Sequence, residues 1–447
     1  MKAPQLLSGF RDLLPQEMAL RQRVLDAIRK IFERHGFDPL ETPSLEYHAT
    51  LTGKEGGESE MLMYHFRDHG DRQVGLIYDL TVPLARVMAA HPEIPKPFKR
   101  YQIQRVWRAE KPQKGRYREF CQCDFDVVGA ESMMADAQII SVLAEGAAAA
   151  GFEHYKVTVN HRQVLQGILE AAGVPPEKAK DAIIAIDKLD KVGESGVAAE
   201  LEKRGIADPG AVLGAVMVGG DSASMLSELG RMIGSSEAGK RGLSETEELL
   251  GLVGYLGPRV QFSPSLARGQ GYYTGPVYEV QLDSPPPTGA SVNTTQQLGA
   301  GKIGSIAGGG RYDGLIGIFS GTRVPATGAS FGIDRMTAAL AELGKAGESV
   351  GARVLVCHFG AGAARAALEA ASGIRGDGVN CDVYAGEAAL GKQLKYADKK
   401  GFAFAVIIGE DEVASGRYLV KDLKANAQEQ VDRVSLAEYL SGKLSGI

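Results

Sequence analysis

Hydrophobic and polar positions recur with two periods along this chain, and the switches between them outline its elements. Val24, Leu25, Ile28, Ile31 and Phe32 stand at helical spacing, which predicts an amphipathic helix over 20–35 stopped by Gly36. Residues 37–42 then read as extended chain running into Pro43. Two more helices are expected over 81–90 and 133–150, and a strand over 156–160 with Val157 and Val159 on one side. In the segment 101–129, YQIQRVWRAEKPQKGRYREFCQCDFDVVG, the period is two. It predicts two strands joined by a polar loop. Gln122, Asp124 and Asp126 share one strand face, while Cys123, Phe125 and Val127 share the other.

From about 165 to 257 the chain is rich in Ala, Glu, Lys and Gly at helical spacing, which reads as a helical insertion. Strand character returns over 275–282. A long Pro/Gly loop follows, then the glycine-rich AGGGRYDG (Ala307 to Gly314), whose glycines either make turns or let backbone approach a ligand. A helix is expected over 334–343 and a short linker over 344–351. The remaining chain alternates strands with helices, which predicts a separate, mostly parallel α/β domain. The expected division is 1–345 and 346–447.

Composition narrows the function classes. The 447 residues exceed what one core organises, and 44% hydrophobic with 23% charged residues is ordinary for a soluble protein. A net charge of -5 gives no global basic field for nucleic acid, although a local basic face remains compatible with it. Cys121, Cys123, Cys357 and Cys381 lack zinc spacing and read as reduced thiols. No apolar run reaches the ~20 residues of a membrane span, and a cytoplasmic protein is expected. The eight histidines form no HExxH pair. No P-loop occurs. Gly299, Gly301 and Gly304 fit GxGxxG outside any strand–helix context, which points to a plain loop.

The candidate chemistry is concentrated in arginines, acids and tyrosines near strands. Arg105 and Arg108 precede the polar loop and Arg116 and Arg118 lie within it, which suggests a polyanion gripped over a sheet beside a small polar ligand. Asp79 and Thr81, in IYDLTVP, stand at a helix start, where capping and binding of a ligand ammonium are both open. Arg268 precedes Tyr272 and Tyr273. Arg335 falls in the first turn of a helix begun by GASFGIDRM.

Together these blocks resemble the histidyl-tRNA synthetases, a family of class II aminoacyl-tRNA synthetases. GFDPLETP (36–43), the 101–129 segment and GIDRM (332–336) resemble the three class II motifs. RGQGYYTGPVYE and AGGGRYDGLI resemble two histidine-specific signatures, and KQLKYADKKG with IIGEDE resembles the anticodon-binding domain. The likeness spans nearly the whole chain and is weakest in the insertion.

The resemblance implies an α+β catalytic domain built on an antiparallel sheet, with a helical insertion and a C-terminal α/β anticodon-binding domain. It implies ATP-dependent attachment of L-histidine to tRNA(His) through a histidyl-adenylate, in a homodimer whose interface uses the first motif. By the same resemblance, Arg108, Glu110, Arg116, Phe120 and Arg335 bind ATP: Arg108 at the α-phosphate, Glu110 and Phe120 at the adenine, Arg116 and Arg335 at the outer phosphates bridged by Mg2+. Asp79, Leu80, Thr81, Arg108, Gln122, Asp126, Arg268, Tyr272, Tyr273 and Tyr312 surround histidine. Arg108 and Arg268 carry the catalytic charge stabilisation, and the loop 111–118 meets the tRNA acceptor end. No metal-ligand set is implied.

Two positions depart from the family pattern. Ile77 stands where an arginine is common, and Gln270–Gly271 replaces a Leu–Asp pair, which removes an acid from the local sequence beside Arg268. The alternative reading is a non-catalytic, histidine-sensing regulatory subunit of histidine biosynthesis. Retention of the arginines and of the C-terminal domain opposes it, and the Arg-Gly-x-x-Tyr-Tyr signature opposes prolyl or threonyl specificity.

Overall fold

The computed structural model describes residues 4–53, 62–111, 117–269, 271–283, 304–345 and 353–445. Sixteen strands occur among them. β1 (Asp38–Pro39), β2 (Leu45–Tyr47), β3 (His65–Arg67), β4 (Gln73–Leu76), β5 (Phe98–Trp107), β6 (Glu119–Val128), β7 (Tyr155–His161) and β8 (Val260–Phe262) come first. β9 (Pro276–Leu282), β10 (Ser305–Arg311), β11 (Ala326–Gly332), β12 (Val354–His358), β13 (Cys381–Val383), β14 (Phe404–Ile408), β15 (Arg417–Asp422) and β16 (Ala427–Asp432) follow. The chain divides into two compact units, Met1–Gly347 and Glu348–Ile447.

The first unit is organised by an eight-stranded sheet in the order β1-β5-β6-β11-β10-β9-β7-β8. Its two outermost pairings are parallel and the inner ones antiparallel. One face is covered by helices Pro15–Arg34, Met133–Ala149 and Ile333–Glu342. The alternation of β6 explains the polarity of the two faces. Cys123 and Phe125 point into the helix-covered core, where Phe125 stands 5.0 Å from Phe32 and 5.5 Å from Phe331, ring to ring. Burying one such ring contributes about 1.5–3 kcal/mol. Gln122, Asp124 and Asp126 therefore emerge on the opposite, open face. Helix Pro15–Arg34 begins five residues before its apolar stripe, because Pro15 sets the first turn.

The insertion follows β7 without a break. His161 Nδ1 accepts the Gln163 N–H at 3.1 Å and caps the first helix, Arg162–Ala171. The helices from there to Glu237–Leu252 bury a core of their own, with Ile168, Ile183, Leu201 and Ile233 inside. A small β2-β4-β3 sheet packs over a cluster of Leu51, Ile77, Leu80 and Val106. Ile77 is fully buried there, so the first departure has a packing reason: an arginine at this position would put a charge into an apolar cluster.

The second unit holds a five-stranded sheet, β13-β12-β14-β15-β16, with one apolar cluster on each face. Only β12 pairs in parallel, with β13 and β14, while β14–β15 and β15–β16 are antiparallel. The expectation of a mostly parallel sheet is corrected on this point. β16 carries Gln428, Glu429 and Gln430, nearly all exposed, so it shows no apolar alternation. Its backbone ladder with β15 is what makes it a strand. The glycine-rich 307–310 stretch is likewise strand, the centre of β10, and not a turn.

All four cysteines are buried and unbonded. Among the described residues no helix is long and apolar enough to cross a membrane.

Candidate active site

The open face of the large sheet carries a cleft of about 500 Å³. β6 forms one wall with Phe120, Gln122, Asp124 and Asp126, and β10 and β11 form the floor with Gly308, Gly309, Gly328 and Ser330. The floor is glycine because side chains lie flat across it. A Cβ on Gly328 would stand 1.9 Å from Asp126 Oδ1, and one on Gly308 would stand 2.1 Å from Arg268 Nη1.

At one end, Asp126 is gripped from two sides. The Tyr312 hydroxyl donates to its Oδ1, and the Arg100 guanidinium approaches Oδ2 to 2.7 Å without hydrogen-bond alignment. Burial pushes the Asp126 carboxyl up, and Arg100 and Tyr312 oppose that push. Burial also holds the Tyr312 and Tyr272 phenols well above their ordinary range, so both remain donors. Tyr272 packs 4.6 Å from Tyr273 and edge-on to Tyr312 at 6.2 Å. Gln122 Oε1 and Asp124 Oδ1 are buried and meet no protein donor.

Arg108 hydrogen-bonds the Tyr78 carbonyl through Nε at 3.0 Å and lies over the Phe120 ring at 5.0 Å. Glu110 and Tyr117 extend this end of the cleft. Arg335 donates to the Ser305 carbonyl at 2.8 Å. Its neighbour Asp334 is bound by Arg11 and by Arg21 at 2.6 Å, which ties the N-terminal segment to the start of helix Ile333–Glu342.

Arg268 enters from the loop before β9. Its Nη1 lies 3.8 Å from Glu279 Oε1, its guanidinium faces Tyr273 at 5.9 Å, and its buried Nε has no partner. Burial pulls down the Arg268 pKa, but Tyr273, Glu279, Tyr272 and Asp187 acting together raise it. The insertion clamps the backbone of this loop: Arg162 Nη1 donates to the Arg268 carbonyl at 3.2 Å, and Asp187 accepts the Gly269 N–H. The acid missing from the local sequence is thus matched in space by Glu279 and Asp187. Gly271 itself faces the Lys180 side chain.

The cleft brings together Thr81, Arg108, Glu110, Phe120, Gln122, Asp126, Arg268, Tyr272, Tyr273, Tyr312 and Arg335. Leu80 and Asp79 stand apart from it. The Leu80 side chain is core, and only its carbonyl reaches the site's support, accepting Arg100 Nη2 at 3.3 Å. Asp79 Oδ1 accepts the Val82 N–H at 3.1 Å, which is the capping reading, and burial raises its pKa. Arg105 points to the other sheet face, 62% exposed, and pairs with Glu119, so the grip is corrected to exclude it. Arg118 braces the loop base through the Glu110 and Ser8 carbonyls. Arg116 and most of the 111–118 loop lie outside the described residues, as do Gln270, Gly299 and Gly301.

Sequence reasoning gave no site role to Arg100, Asp124, Glu279 or Asp187. The first two were legible, since Arg100, Gln102 and Gln104 alternate on β5 as Gln122, Asp124 and Asp126 do on β6. Glu279 and Asp187 carry no local signal, because sheet register and helix packing bring them to Arg268.

An antiparallel-centred sheet that holds arginines, a ring and a polar pocket on one open face is the catalytic architecture of a class II aminoacyl-tRNA synthetase. The profile of the Histidyl-tRNA synthetase family matches residues 9–336, and that of the anticodon binding domain matches 352–443. The chain belongs to the histidyl-tRNA synthetase family. It is 39% identical to a histidine–tRNA ligase of Gloeobacter violaceus, over 98% of each chain. It is 42% identical to that of Aeropyrum pernix, over 92% of each. The crystal structure of histidyl-tRNA synthetase from Nostoc sp. PCC 7120 superposes with a TM-score of 0.85 at 33% identity, covering 98% of this chain and 99% of that one.

Proposed function

We propose that this protein attaches L-histidine to tRNA(His) in two steps, consuming ATP. The observation that carries the reading is the single cleft in which Arg108 and Arg268 flank a pocket closed by Asp126, Tyr272 and Tyr312. An imidazole presents one donor and one acceptor, and a carboxylate backed by phenol hydroxyls can answer both. Analogues lacking those groups would leave the pocket's polar atoms unpaired, which disfavours them.

In the first step the histidine carboxylate attacks the α-phosphorus and pyrophosphate leaves. In the second, a ribose hydroxyl of the tRNA end takes the acyl group and AMP leaves. Neither step needs an enzyme nucleophile. Arg108 and Arg268 stabilise charge on the α-phosphoryl oxygens, Phe120 and Glu110 hold the adenine, and Arg335 with Arg116 meets the outer phosphates. Among the described residues no group of three His, Cys, Asp or Glu side chains could hold a metal, and Asp334 is consumed by arginines. Mg2+ is therefore proposed only as a companion of the outer phosphates, and no step depends on a protein cage for it. Residues 1–345 are assigned to activation and transfer and 346–447 to the anticodon. A cytoplasmic homodimer joined through the 36–43 segment completes the reading.

The regulatory alternative needs no phosphate-binding arginines, whereas Arg108, Arg268 and Arg335 all line this cleft. Histidine-dependent exchange of pyrophosphate into ATP is the deciding measurement. Exchange is expected with histidine and absent without it. A folded protein with no exchange above background would end the ligase reading.

A further inference from the structure

We propose that Asp124 is a substrate-facing carboxylate that, beside the Thr81 hydroxyl, receives the α-ammonium of the amino acid. The inference rests on the histidine-activating function above and assigns a group that function had left unused.

Asp124 lies on β6 between Gln122 and Asp126, and sheet register sets it opposite Gln102 of β5 and Ser330 of β11. It is 5% exposed and lines the cleft; Ser330 hydrogen-bonds its carboxyl, and its Oδ1 meets no donor. The site's other acids are occupied: Asp126 by Tyr312 and Arg100, Asp79 by the amides that open helix Thr81–Ala90. Arg100 is the cation facing Asp124, but it is engaged with Asp126, Gln102 and the Leu80 carbonyl. Among the described residues no Lys or Arg forms an ion pair with Asp124. A buried carboxylate without a counter-ion is costly unless it is protonated or a ligand supplies the cation.

The groups around Asp124 identify that cation. Asp126 comes from its own strand, Arg100 from β5, Ser330 from β11, and Asp79 from the turn before helix Thr81–Ala90. The imidazole asks for one donor and one acceptor, which the Tyr312–Asp126 end supplies. The α-ammonium has a full charge and three donors, and Thr81 and Asp124, which both line the cleft, are acceptors for it. Burial, only partly offset by Arg100, raises the Asp124 carboxyl to about 7, with Asp126 and Asp79 adding to the rise. The ammonium favours the ionised form, so binding lowers that pKa and releases a proton. Histidine affinity then falls as pH drops below about 7, because the protonated carboxyl must first ionise.

Calorimetric titration of the full chain with L-histidine and with imidazolepropionate, which lacks the ammonium, tests this. Asp124→Asn should weaken histidine roughly tenfold or more and imidazolepropionate by less than about twofold. At about pH 7, compared in two buffers and after subtracting the proton each free ligand's own imidazole loses on binding, the unaltered protein should release about half a proton more with histidine than with imidazolepropionate. Equal effects on both ligands, or none, overturn the proposal while leaving the ligase reading intact. An unaltered protein that binds no histidine removes that reading first and this proposal with it. Should the Asn variant fail to fold, the two-buffer measurement decides alone, and equal proton release with both ligands overturns the assignment.

Discussion

Arg268 shows how far a residue's surroundings can differ from its sequence neighbours. The local sequence around it contains no acid, yet Glu279 stands 3.8 Å away and Asp187 holds the next backbone amide. Two carboxylates and a tyrosine face fix a guanidinium with little freedom left to lose, which is the preorganisation that charge stabilisation requires. Arg268→Ala is expected to lower the exchange turnover ~10²–10³-fold, as loss of one such donor does in other sites. Its melting temperature should stay close to that of the unaltered chain, because the Arg268 side chain lies on the cleft and not in the core. Near-normal turnover would refute the charge-stabilising role. Leu80 teaches the opposite lesson: adjacency to Asp79 and Thr81 placed it among the histidine contacts, but its side chain is core.

At the scale of elements, β10 is the strand that makes the cleft possible. Its three glycines serve different purposes, and their substitutions should separate. A Cβ on Gly309 would stand 2.0 Å from the Gly328 carbonyl and 2.5 Å from the Ala329 Cα, both backbone. Gly309→Ala must therefore push β10 off β11, and a loss of roughly 3 kcal/mol or more is expected in denaturant unfolding. A Cβ on Gly308 meets chiefly the Arg268 guanidinium, so displacing it costs the Glu279 and Tyr273 contacts and not the strand pairing. Gly308→Ala should keep most of its stability and lose turnover as Arg268→Ala does. If both variants melt alike, the glycines do not divide in this way. The same strand marks a limit of sequence reading. Gly308, Gly309 and Gly310 lack side chains, so period two leaves no trace, and only pairing with β9 and β11 defines the strand. β16 was hidden for the related reason that its side chains face solvent.

For the whole molecule, each unit has its own sheet and its own core, so the two activities are expected to be separable. The 1–345 fragment should retain histidine-dependent exchange and lose most aminoacylation of tRNA(His), measured side by side. Loss of exchange in a folded fragment would show that the second unit supports the first step as well.

The sequence by itself determined the polar face of β6, the helix-covered opposite face, the alternating architecture of the second unit and the family. These follow from periodicity and from ordered motifs, which are local in the chain. The tertiary structure decided which arginine serves which face: β5 alternation sends Arg105 to solvent and Arg100 beneath Asp126. It also brought Glu279 and Asp187 to Arg268 and left Asp124 Oδ1 without a donor. Whether a charged side chain is paired or waiting depends on strands and helices distant in sequence, and only folding sets those distances.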